Sequence, residues 1–247
     1  MSKIVAQVPV SEQKDFEICP KGTYLARIYQ VIDLGTQETE YKGVESLNRK
    51  FKIDFELPTK KAIFNPEKGE QPFPLSDIIN YRITISDSTN KAKLNSIIEA
   101  CGMEAKKGFN IFDLLGKTCM ISVDHYTANN GKTYANISNY SGVADLIDVN
   151  DKKFAPINKQ IEFYLDPEYF DGKIFNNLPK WVKEKIEVTN EYKLCTGELP
   201  TGLSVDVSKS AKPKKEKEVK EEVEEDDEVE VEGEGIDVDK LGIQMPF

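Results

Sequence analysis

The chain has 247 residues, 39% of them hydrophobic, with 33 Lys and Arg against 43 Asp and Glu and a formal net charge of −10. That length suits one large domain or two small ones. No stretch approaches the ~20 apolar residues of a membrane span, and the N-terminal MSKIVAQVPVSEQKDF lacks the apolar core of a secretion signal, so a cytoplasmic location is expected.

The charge is unevenly spread. Residues 1–208 hold 26 Lys and Arg against 29 Asp and Glu; residues 209–220 hold six Lys against two Glu; residues 221–247 hold twelve acids against one Lys. The body is therefore nearly neutral, and the overall acidity does not exclude a polyanionic partner for it. The four cysteines (Cys19, Cys101, Cys119, Cys195) are scattered without a CxxC pair, and His125 is the single histidine. Reduced structural thiols are expected, with no metal and no cofactor.

GTYLARIYQVIDLG (22–35) carries β-branched and aromatic residues between two glycines, which is strand chemistry. RKFKIDFELP (49–58) alternates cleanly: Phe51, Ile53, Phe55 and Leu57 on one face, Lys50, Lys52, Asp54 and Glu56 on the other, the latter read as solvent-facing. Pro58 closes it, and the Pro- and Lys-rich stretch 59–77 reads as an excursion from the sheet. IINYRITIS (78–86) is a third strand. The period then changes: Leu94, Ile97, Ile98 and Cys101 recur at helical spacing over 88–102, with Ser88 to Asn90 available as caps and Gly102 at the C-terminal stop. Strands return at 117–126 and 132–141, joined by TANNG, whose Asn130-Gly131 pair signals a hairpin.

The order β–β–β–α–β–β within about 120 residues predicts a mostly β chain built on a five-stranded OB-fold barrel, spanning residues 1–145. Residues 146–200 read as a partly helical extension packed on the barrel, with a helix over 178–188 and Trp181 either anchoring a core or stacking on a base. From 201 the composition collapses to Ser, Lys, Pro, Glu, Val and Asp, and a disordered acidic tail is expected.

Several blocks give the body a family resemblance: GTYLARIYQVIDLGTQ, YKG, KFKIDFELP, NKAKLNSIIEA, FDLLGKTCMISVDHY, YANISNYSGV and IFNNLPKWVKEKIEVTNEYK. Together, over about residues 15–195, they resemble the bacteriophage single-stranded DNA-binding proteins with an OB-fold. The connection CGMEAKKGFNIF lacks the Trp-Arg-Gly type of sequence found in several members. The C-terminus resembles that of bacterial single-stranded DNA-binding proteins: Asp237 and Asp239 precede Met245, Pro246 and Phe247, although Lys240 to Met245 stand where an acidic block is usual. The resemblances imply a non-catalytic protein of phage DNA replication, recombination and repair. It would coat single strands and recruit partner proteins through Asp237, Asp239, Met245, Pro246 and Phe247.

Sequence-tolerant single-strand binding needs cations along phosphates and flat rings for bases. The face of strands two and three and the adjoining loops of an OB-fold supply them. The candidates there are Arg27, Tyr29, Tyr41, Lys42, Arg49, Lys50, Lys52, Arg82, Tyr126, Lys132 and Tyr134. Tyr29, Tyr41 and Tyr134 are the preferred stackers. GKT occurs twice without the upstream glycine of a phosphate loop, and no pair of carboxylates has catalytic spacing. A competing reading is a DNA-mimicking or scaffold protein whose acidic tail acts without any single-strand binding.

Overall fold

β1 (Gly22–Tyr41), β2 (Val44–Asn65), β3 (Gly69–Asn80), β4 (Thr118–Thr127) and β5 (Thr133–Ser141) pair antiparallel in the order β3-β2-β1-β4-β5. The structure is a computed structural model that describes residues 17–41, 44–83, 92–129 and 131–199. The sheet curls until β3 and β5 approach, where Asp77 receives the Tyr140 hydroxyl and, at 2.6 Å, the Lys93 ammonium. The result is a nearly closed barrel that fits an OB-like fold. Helix α1 (Lys93–Ala100) seals it with Leu94, Ile97 and Ile98, all fully buried. Gly102, at φ +71°, follows the helix and donates to Glu99.

A second layer lies outside the barrel. β6 (Ile161–Phe163) runs parallel to β1, and α2 (Gly172–Asn177), α3 (Lys180–Glu187) and α4 (Asn190–Cys195) follow it. β1 serves two cores at once. Ile28 and Val31 join the barrel interior, while Ile32 and Leu34 face outward into a cluster with Phe163, Leu165, Phe175, Leu178, Trp181, Val182 and Ile186. The bend that allows this includes Gly35, at φ +71°. A Cβ there would stand 2.8–2.9 Å from side-chain atoms of Leu165 and Thr189, so the close approach of the extension requires glycine.

The strands are longer than periodicity suggested. β2 does not stop at Pro58; it continues to Asn65 and returns as β3, so most of the expected excursion over 59–77 is a hairpin. Bulges near Leu57 and Ala62 break the alternation that would have revealed it. β1 and β2 likewise extend as a ribbon to Tyr41 and Val44, tied by Thr39, Ser46 and Asn48 side chains. Its exposed described residues include Glu38, Glu40 and Glu45. The third strand, expected over 78–86, ends at Asn80, and Tyr81 to Ile83 are not strand; the residues after Ile83, the expected caps Ser88 to Asn90 and the whole tail from 200 lie outside the described residues. No described helix is long and apolar enough to cross a membrane.

Candidate functional site

At the bend in β1, Arg49 of β2 meets Asp33. Asp33 is buried, and Arg49 Nε donates to its two carboxylate oxygens at 3.1 and 3.3 Å, while Nη2 donates to Oδ2 as well. Burial pushes the Asp33 carboxyl up against the opposing pull of Arg49. For Arg49, burial works downward, yet the Asp33 bonds outweigh it and hold the guanidinium above its usual range. A second tie of Arg49 reaches the extension, where Leu165 carbonyl accepts from Nη2 at 3.4 Å.

A chain of rings starts beside this pair. Phe51 lies 6.0 Å from the Arg49 guanidinium carbon and 5.2 Å, centroid to centroid, from Tyr81. Phe112 follows Phe51 at 5.9 Å, Tyr164 stacks on Phe112 at 3.8 Å, and Tyr169 stands 5.7 Å from Tyr164. All five rings line one open cleft of about 300 Å³, together with Arg49, Asp33, Asn110 and Asp166. The two ends of the chain are the solvent-facing ones: Tyr81 is 41% exposed and Tyr169 61%.

Local hydrogen bonds fix this arrangement. The Tyr81 hydroxyl donates to Phe109 carbonyl, and its amide to Arg49 carbonyl at 2.7 Å. Tyr164 donates to Glu162 at 3.1 Å, and burial followed by that carboxylate raises its pKa. Asn110 caps the turn that carries Phe112 and donates to Asp113. Asp166 accepts from the Glu168 amide, so an Asp-Pro turn presents Tyr169. The lining of the cleft is thus mainly aromatic and aliphatic, with Tyr81 and Tyr169 the rings open to solvent.

Of the residues singled out from sequence, Arg49 belongs to the cleft, and Arg82 is exposed directly after Tyr81. Tyr126 and Tyr134 are cross-strand partners with centroids 5.5 Å apart, on the β4–β5 hairpin with half-buried Lys132. That hairpin lies past the Gly22 end of β1, whereas the cleft is at the Asp33 bend midway along it, so the two groups are separated along the strand. Lys50 is half-buried at the Asn80 pairing. Lys42 and Asp237, Asp239, Met245, Pro246 and Phe247 lie outside the described residues, as does the side chain of Tyr41.

Three expectations are corrected. Lys52 is not on a solvent face: it is 6% exposed, ion-paired with Asp54 and 5.9 Å from the Trp181 ring. Tyr29 is 8% exposed, and burial, then Asp54 and Glu56, push its hydroxyl well above 10, so it is a packed residue and no platform for a base. Arg27 spends its guanidinium on the Phe154 carbonyl at 2.9 Å and Gly116 carbonyl at 3.4 Å. One physical cause explains all three. The extension roofs the outer face of β1 and β2, and Glu56, fully buried, accepts its Ile157 and Asn158 amides at 3.2 and 2.7 Å. Trp181 accordingly sits in a core.

A family model matches residues 6–146, more than half of the chain. The chain belongs to that family, described as a protein of unknown function, DUF669. No curated protein and no solved structure matches it. The DUF669 match covers the barrel and stops before the extension, so it includes Arg49, Phe51, Tyr81 and Phe112 but not Tyr164, Asp166 or Tyr169. Sequence reasoning missed Phe112, Tyr164 and Tyr169 as site residues and placed Tyr81 on a strand face. The available signal was the density of aromatics around turns in FYLDPEYF (163–170), which alternation within strands does not register.

Proposed function

We propose that the chain is a non-catalytic, sequence-tolerant single-stranded DNA-binding protein of phage DNA replication, recombination and repair. The observation that carries this reading is the chain of five aromatic rings lining an open cleft on an OB-like barrel, with exposed Arg82 next in the chain after Tyr81. Ring faces accept any base, because every base has a π-face, and neighbouring cations hold the backbone. The hairpin group Tyr126, Lys132 and Tyr134 would extend the contact beyond the cleft.

Titration of the full chain with oligo-dT and with duplex of equal length tests the proposal. A clear preference for the single strand is expected. With ~4 phosphate contacts, the log–log salt slope is about −3, at roughly −0.7 per contact. Equal affinity for both DNAs, or a flat salt response, would refute it. The acidic tail is proposed to recruit partners through Met245, Pro246 and Phe247, whose apolar side chains suit a pocket while the neighbouring acids suit a cationic rim. Removal of Phe247 alone should leave the titration unchanged and abolish pull-down of replication proteins; retained pull-down rejects that role.

A further inference from the structure

Building on the single-strand reading, we infer that the cleft is a base-accepting site shared between barrel and extension, which takes one unstacked nucleobase and leaves the phosphates outside. Three observations carry this. The first is composition. The barrel supplies Phe51, Tyr81 and Phe112, and the extension supplies Tyr164 and Tyr169, so neither part alone presents the whole ring chain. The second is charge. The guanidinium of Arg49 is already bound by Asp33, and Asp166 adds a further carboxylate to the lining. A phosphate entering there would meet a net negative wall, whereas an uncharged heterocycle loses nothing to it. The third is size. About 300 Å³ is at the small end of ligand sites, which suits a single flat ring system rather than a folded strand. The backbone then runs over the rim, where Arg82 is exposed.

The extension thereby becomes part of the binding site. Tyr169 is the residue to test, because its 61% exposure means that truncation removes a platform without opening a core. The full chain is titrated by fluorescence anisotropy at one fixed low salt with two probes: dT12, and a twelve-unit abasic oligomer carrying the same phosphates. The parent chain should bind dT12 well above the abasic oligomer. Tyr169→Ala should weaken dT12 roughly 5- to 150-fold, the range of one lost stacking contact, and leave the abasic oligomer unchanged. Tyr169→Phe, which keeps the ring, should restore dT12 binding. If Tyr169→Ala binds dT12 as the parent does, the bases stack elsewhere; the inference falls and the single-strand reading stands. Equal parent affinity for both probes means that phosphates alone are held, which also overturns the site. A parent chain that binds duplex as well as dT12 removes the single-strand reading itself.

Discussion

Lys52→Met should lose about 3–5 kcal/mol of folding stability, the cost of leaving a buried charge without its partner. Asp54, 2% exposed, holds the Lys52 ammonium and the Ser76 hydroxyl under the Trp181 ring. Removing the ammonium strands the carboxylate where water cannot reach it. The double variant Lys52→Met/Asp54→Leu should recover most of the loss, since replacing a whole buried pair by apolar groups is often neutral. Urea unfolding of the three chains measures this directly. A lysine that merely held phosphate at the surface would change stability by no more than ~0.5 kcal/mol. Unchanged stability with weakened DNA binding would therefore reverse the structural assignment of Lys52.

Trp181→Ala should cost about 3–5 kcal/mol, as large aromatic truncations in cores do. In a folded unit of this size that corresponds to a fall in Tm of roughly 6–20 °C. Trp181 and its neighbours Val182 and Ile186 pack the extension against Ile32 and Leu34 of β1. The same loss uncovers the Lys52–Asp54 pair and loosens the segment that holds Tyr164 and Tyr169. Below its melting point the variant should still bind dT12 more weakly than the parent. A fall in Tm of under ~2 °C would show that the extension is not anchored through this side chain.

Much of the barrel was legible because its strands are half-buried and alternate. Phe51, Ile53, Phe55 and Leu57 face the interior as their spacing predicts, α1 falls where the period changes, and the β4–β5 hairpin turns at Gly131, φ +80°. What alternation cannot reveal is a second layer. Lys52, Asp54 and Glu56 look like a solvent face because they are charged, yet Lys52 and Asp54 pair with each other, Glu56 accepts two backbone amides, and all three are roofed over. The warning was in β1, where Val31, Ile32 and Leu34 place apolar side chains on both faces, as a strand buried on both sides requires. The cleft was less visible still. Its rings come from a strand, two turns and the extension, positions joined only by the tertiary fold, and only Arg49 among its lining was picked out as a binding residue.

Photocrosslinking tests the central claim most directly. A twelve-residue oligo-dT with 5-iododeoxyuridine at single positions is bound to the full chain, irradiated, and the modified peptides are identified by mass spectrometry. Aromatic rings in contact with the base are the sites that couple. Adducts on Tyr81, Tyr164 or Tyr169, competed away by unlabelled oligo-dT and not by duplex, are the predicted result. Adducts confined to Tyr126 and Tyr134, with none on the three cleft tyrosines, would contradict it.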